Sequence, residues 1–191
     1  GGVEQFIQGL RVSNASKTYE ATLEPDPSGV FEYEDHQVKP GASYVYWLQS
    51  PSGRTIAGPV CRKVRNPDKW WSQEKIERTM DQLGHSFPEL VQKHKFGQTV
   101  EGNSINGLTL GNPSNTMVLL GYTHAGESGA ELHLYTIEQI LNNHRDLLKN
   151  AGIVMIPVLN IDSRNLLIEG IPDYQRKNSN GVDLNRNFPA D

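Results

Sequence analysis

Met117-Val-Leu-Leu-Gly121-Tyr-Thr-His124-Ala-Gly-Glu127 and, further on, Ile153-Val-Met-Ile-Pro-Val-Leu-Asn160 are the two stretches that decide the fold. Each begins as a near-continuous apolar run, the pattern of a strand buried on both faces of a parallel or mixed sheet. Between them Ala130, Leu134, Ile137 and Leu141 recur at helical spacing. Strand, helix, strand is a crossover unit, and ligands of such units bind just beyond the carboxyl ends of the strands. His124 and Glu127 stand at one such end and Asn160 at the other. A His and a Glu three residues apart can offer an imidazole nitrogen and a carboxylate oxygen to one zinc ion. The same spacing equally describes a solvated His and a Glu near the start of a helix. Taken alone, the pair leaves both readings open.

The α/β pattern extends back to about Asn66. Ser72 is a suitable N-cap for a helix carrying Ile76, Met80 and Leu83, with Gly84 placed to stop it. A second short helix is expected over about Phe87–Lys95, ending at Gly97. Before Asn66 the pattern is β. Thr18–Leu23, Gly29–Tyr33, Ser43–Leu48 and Val60–Val64 alternate in polarity, separated by the turn signals Pro25-Asp-Pro-Ser-Gly29, Lys39-Pro-Gly41 and Pro51-Ser-Gly53. Short strands at this spacing predict a small all-β sandwich of the immunoglobulin-like kind over residues 1–65. An incomplete α/β mixed-sheet domain over 66–191 follows, the boundary falling at Arg65-Asn-Pro-Asp68.

Composition sets bounds. The chain has 191 residues, 36% hydrophobic, with a formal net charge of −4, which disfavours nucleic acid and other polyanions as partners. The longest apolar run, Gly152–Leu159, is far short of the roughly 18 residues a membrane-spanning helix needs. The single cysteine, Cys61, excludes an intramolecular disulfide framework and a four-cysteine zinc cluster, and its apolar strand makes it packing.

The last stretch, Tyr174-Gln-Arg176-Lys-Asn-Ser-Asn-Gly-Val-Asp183-Leu-Asn185-Arg186-Asn-Phe188, makes a poor helix face and a poor strand, and composition alone describes it as a solvated loop. From about Trp71 onward, however, several motifs occur in an order that resembles the zinc carboxypeptidases, the carboxypeptidase A and B type and their regulatory relatives. They are Ser72-Gln-Glu-Lys-Ile76, Phe87-Pro-Glu-Leu-Val91, Gly97-Gln-Thr-Val-Glu-Gly102, His124-Ala-Gly-Glu127, Pro157-Val-Leu-Asn160, and Arg176 followed by Asn185-Arg186.

The resemblance implies a metallocarboxypeptidase that hydrolyses the C-terminal peptide bond of peptides or proteins with Zn2+. His124 and Glu127 are then two of three zinc ligands, and a catalytic zinc of this type keeps a position for water whose pKa falls toward about 7. Arg176 is similar to the arginine that stabilises the oxyanion of the tetrahedral intermediate. Asn185 and Arg186 are similar to the pair that grips the substrate's terminal carboxylate. Asp183 is similar to the carboxylate that accepts the other N–H of the zinc-bound His.

The resemblance also marks departures. The family's third zinc ligand, its active-site Tyr and its general-base Glu come later than Asp191, so the expectation is the front part of such an enzyme, inactive alone and with an unfinished, exposed sheet edge. His133 and His144 follow Glu127 too closely to replace that ligand and are expected to be surface or half-buried. Asn160-Ile-Asp-Ser163 stands where relatives usually have Asn-Pro-Asp-Gly.

The β module preceding the catalytic part faintly resembles glucan-binding modules of recognition proteins. Tyr44, Tyr46 and Trp47 then offer a glycan platform or, more simply, core packing. Asn14-Ala-Ser16 is a glycosylation sequon, and a secreted, extracellular protein is the expectation. The competing functions are an N-acyl amino acid deacylase, a peptidoglycan-trimming peptidase, and a non-catalytic glycan-recognition protein carrying a relic peptidase domain.

Overall fold

The computed structural model describes residues 8–13, 18–127, 129–172 and 175–189; the sequon Asn14-Ala-Ser16 lies outside them. The chain divides into two compact units, Gly1–Asn66 with Gly170–Pro172, and Pro67–Glu169 with Asp173–Asp191.

In the first unit, β1 (Gln8–Ser13), β2 (Thr18–Leu23), β3 (Ser43–Gln49) and β4 (Thr55–Lys63) form one antiparallel sheet in the order β2-β1-β3-β4. The expected sandwich therefore differs from what is seen: among the described residues every strand of this unit pairs edge to edge in a single layer. Gly29–Tyr33, expected as a strand, is irregular chain. Its Phe31 and Tyr33 pack with Val38 against Leu23 and Tyr44, and so supply the cover that a second sheet would. Tyr44 is buried and its hydroxyl oxygen accepts from Lys39 N at 2.9 Å, which makes it core and removes it from any glycan platform. Tyr46 and Leu48, on the same side of β3 by the period of two, pack against the same cluster.

In the second unit, α1 (Gln73–Ser86) begins where expected, with Ser72 Oγ accepting from Lys75 N at 3.2 Å, and buries Ile76, Met80 and Leu83. It continues through Gly84 to Ser86, beyond the expected stop. The expected helix at Phe87–Lys95 is instead β5 (Val91–Gln98), antiparallel to β6 (Ser104–Gly111). Tertiary pairing overrides the local pattern, and Lys93 fixes the register of the face by bonding Glu77 at 2.8 Å and Asp81 at 2.7 Å on α1.

The two apolar runs are β7 (Thr116–Leu120) and β8 (Gly152–Ile156), paired in parallel and joined by α2 (Ala130–Asn143), as the crossover pattern requires. The sheet order is β5-β6-β8-β7. Leu108, Leu110, Ile153 and Met155 face α1 and α2 and form the core with Ile76, Met80, Leu134, Ile137 and Leu141. β7 is an edge strand among the described residues, and Met117, Val118 and Leu120 on it are exposed. After β8 the chain enters α3 (Ile161–Ile168), from which Ser163 Oγ donates to Lys177 O, while Asn160 N just ahead of it donates to Tyr122 O.

Candidate metal and substrate site

At the carboxyl end of β7, Gly121 leads into Tyr122, the one non-glycine residue with positive φ (45°) among the described residues. This left-handed conformation costs a bulky side chain on the order of 1–3 kcal/mol, and it persists only where the surroundings impose it. Here they do. The Tyr122 ring lies 4.4 Å under the Arg164 guanidinium, and its hydroxyl donates to Glu131 Oε2 at 2.5 Å. Its carbonyl accepts from Asn160 N at 3.0 Å. Gly129 packs so closely that a Cβ there would lie 2.6 Å from the Tyr122 ring. Burial, and then the bond to Glu131, push the phenol up to about 12, so it remains a donor.

Two residues on, His124 is 2% exposed and bonded at both ring nitrogens. Nδ1 meets Glu127 Oε1 at 2.7 Å and Nε2 meets Asp183 Oδ1 at 2.9 Å. Two carboxylates, Asp183 first and Glu127 second, raise the His124 pKa above its usual value and favour the doubly protonated ring. Asp183 is held in return to about 2, chiefly by the bond to His124, with Arg176 Nε at 2.7 Å from Oδ2 adding to it. Asp183 also caps the 3-10 turn Leu184–Arg186, accepting from Asn185 N at 3.0 Å. The loop over 178–182 is closed by Asn178, whose Oδ1 accepts from Asn180 N at 3.1 Å and Val182 N at 2.9 Å. Asn185 and Arg186 are exposed, and Arg186 Nη1 donates to Asn185 O at 2.9 Å.

His124, Glu127, Asp183 and Arg176 thus come together as one hydrogen-bonded cluster, with Asn185 and Arg186 in the turn that Asp183 caps. Ala125 N donates to Gln175 O at 3.0 Å, tying the two loops by their backbones. His133 is half-buried on α2 and His144 is exposed just past its end. Neither adds to the pair, since no group of three His, Cys, Asp or Glu suited to a metal occurs among the described residues. The donor chemistry of the pair nonetheless fits zinc: one imidazole nitrogen, whose partner nitrogen is fixed by a carboxylate, faces one carboxylate oxygen.

Three buried polar residues beside the site carry no signal in the sequence, because Asp, Ser and Arg in succession describe a surface turn. Asp162 accepts from Thr99 Oγ1 at 2.6 Å, Asn103 Nδ2 at 2.8 Å and Glu101 N at 3.2 Å, fixing the β5–β6 turn. Ser163 Oγ and Asn160 Nδ2 donate to one carbonyl, Lys177 O, at 2.7 and 3.2 Å. Arg164, fully buried, bonds Trp71 O at 2.6 Å and Glu131 Oε1 at 2.9 Å. A cleft of about 270 Å³ bordered by Thr99, Asn160, Asn178, Leu184 and Phe188 opens next to these groups. A larger one of about 790 Å³, between Gly111, Thr116 and Ile153, lies at the opposite end of β7 and β8 and has no part in the cluster.

A family model for zinc carboxypeptidase matches residues 76–191. Among curated proteins, carboxypeptidase D of Drosophila melanogaster is 28% identical over 137 residues, 62% of this chain and 10% of that protein. Carboxypeptidase E of Caenorhabditis elegans is 30% identical over 138 residues, 62% of this chain and 29% of that protein. The chain therefore spans only 10% and 29% of the length of these two relatives. Among solved structures, carboxypeptidase A from Helicoverpa armigera superposes with a TM-score of 0.57 at 27% identity, over 65% of this chain and 35% of that one. A metallo-carboxypeptidase from Burkholderia cenocepacia superposes at 0.50 and 17% identity over 96% of this chain and 44% of that one, a likeness of fold alone.

Proposed function

Because the chain belongs to the zinc carboxypeptidase family, we propose that its second unit supplies the metal-side and carboxylate-side residues of a site that hydrolyses the C-terminal peptide bond of peptides or proteins. The observation that carries this reading is Asp183. One carboxylate bonds the candidate zinc ligand through Oδ1 and the candidate oxyanion arginine through Oδ2, at 2.9 and 2.7 Å. A loop assembled only for stability has no need to set a half-exposed arginine against a buried histidine.

In this site His124 Nδ1 and Glu127 would hold the zinc, while Asp183 would accept the Nε2 proton and so keep the Nδ1 lone pair directed inward. Zinc held by these two residues would supply Lewis-acid polarisation of the scissile carbonyl and a water of lowered pKa. The Nε bond to Asp183 fixes the plane of the Arg176 fork, and its remaining N–H groups serve the developing oxyanion, a task suited to a permanently charged donor. Arg186, on the turn capped by Asp183, binds both oxygens of the substrate's terminal carboxylate with Asn185 beside it, which restricts cleavage to the last bond. Release into an extracellular space fits this reading, and no helix among the described residues is long and apolar enough to cross a membrane.

The test is Arg186→Ala in a form of the protein with measurable peptidase activity. KM for peptides with a free C-terminus rises on the order of 100-fold, the loss of a charge-assisted fork, while the exposed position leaves folding intact. An unchanged KM sinks the role.

A further inference from the structure

Resting on the reading of His124 and Glu127 as a metal pair, we propose that Arg164, Glu131 and Tyr122 form a positioning lock that aims this pair, so that zinc affinity is set by a buried cation not itself in reach of the metal. Three observations carry it. Tyr122 holds positive φ two residues before His124, whose Nε2 meets Asp183 Oδ1 at 2.9 Å, so the direction in which the chain leaves Tyr122 sets where that ring lies. The side-chain groups that hold that conformation trace to Glu131 and Arg164, beside the Asn160 N–H on the Tyr122 carbonyl and the close packing of Gly129: the hydroxyl ends on Glu131, the ring lies under Arg164, and Glu131 Oε1 accepts from Arg164 Nη2. Finally, Arg164 is an expensive choice for a purely structural role. Fully buried, it finds no hydrogen-bond acceptor among the described residues for Nε and Nη1, a desolvation cost that an apolar side chain of similar length does not carry.

The lock spans three elements. Glu131 sits in the first turn of α2 and also accepts from Trp71 N at 2.8 Å, ahead of α1, while Arg164 stands in the first half of α3. The strand-end loop bearing His124 is thereby tied to the packing of all three helices, which is how a loop acquires the rigidity a metal site needs.

The experiment measures zinc affinity of the whole 191-residue chain by competition with a chromophoric chelator, well below each variant's Tm, with Tm recorded in parallel. The variants are Arg164→Met, Arg164→Lys and Tyr122→Phe, with His124→Ala as control. The lock requires that Arg164→Met and Tyr122→Phe each weaken zinc binding by about 10-fold or more, the scale of removing a group that orients a metal ligand, and that Arg164→Lys restores part of the loss. Lower Tm with unchanged affinity of the folded chain overturns the proposal, because a packing role moves stability alone. If Arg164→Met does not fold, Tyr122→Phe, which removes a single oxygen, decides the question. If His124→Ala leaves zinc binding unaltered, the metal-pair reading falls and the lock with it; if His124→Ala abolishes binding while the other variants match the parent, the lock alone falls.

Discussion

The loop over 122–127 and the segment over 175–189 meet at Asp183 but are built on opposite principles. The first is rooted in the core: Tyr122, His124 and Ala125 are buried, and the ring of Tyr122 is wedged between a buried cation and a glycine. The second is rooted in polar contacts. Arg176, Asn185 and Arg186 are exposed, and the segment is positioned by Asp183, by Asn178, and by the two donors that converge on Lys177 O. A metal ligand must be fixed within tenths of an ångström before its ligand arrives, whereas groups that meet an incoming peptide need reach and can be ordered by it. The difference teaches where each half is vulnerable: one to changes in packed charge far from the site, the other to loss of single hydrogen bonds.

The harshest way to break that comparison is to uproot the first loop. Glu131→Ala leaves Arg164 buried without its carboxylate, and the expected loss is about 3–5 kcal/mol in urea unfolding of the second unit. A loss under 1 kcal/mol would show that the buried pair does not anchor the loop.

Next in size is Asp183→Asn, which cuts the joint between the halves. Asp183 is the largest cause of the raised His124 pKa, so the variant's His124 titrates at lower pH, read from its imidazole resonances by NMR. The sign follows from linkage. A raised folded-state pKa adds stability that is full below about 6.5, the unfolded value, and is lost as pH rises through the folded pKa. The variant gives up part of that acid-side gain. For Asp183 itself, held at about 2, the contribution is present above 3.8 and disappears as pH falls through 2. Zinc must displace the Nδ1 proton, so affinity in the parent weakens as pH drops below the His124 pKa, and Asp183→Asn loses roughly 10- to 100-fold at neutral pH through misorientation of the ring.

The mildest change sharpens the contrast: Ser163→Ala removes one of two donors to Lys177 O, next to Arg176. It costs about 1 kcal/mol of stability and, in a catalytically complete chain, lowers kcat several-fold with KM held, since Asn160 still bonds that carbonyl. A KM change in place of a kcat change would assign the segment to ground-state binding.

The parts legible in the sequence were those whose signal is local. The apolar runs that become β7 and β8 needed only their own residues, and so did α1, marked by Ser72 and by Ile76, Met80 and Leu83. The partnership of Asp183 with His124 was legible through the resemblance that the order of motifs carries, whereas the bond from Arg176 to Asp183 was not. What escaped depends on partners distant in the chain. β5 resembled a helix because its neighbours on β6 and α1, which turn Lys93 inward, are invisible from within the segment. Glu131 and Arg164 carry no local signal, because the groups that make each tolerable in the interior, the other of the pair first among them, lie elsewhere in the chain, 33 residues apart for the pair itself. The first unit's strands were placed in two layers because alternation specifies which side chains share a face and not how many sheets the strands make.

Asp183 has one charge and two claimants. Whatever draws electron density toward His124 from Oδ1 leaves less for Arg176 at Oδ2, and on the proposed reading a substrate oxygen that engages Arg176 would return density to His124. The affinities on the two sides are therefore linked by a single coupling free energy, equal in both directions. A peptide that tightens the metal is, by the same amount, a peptide that the metal tightens.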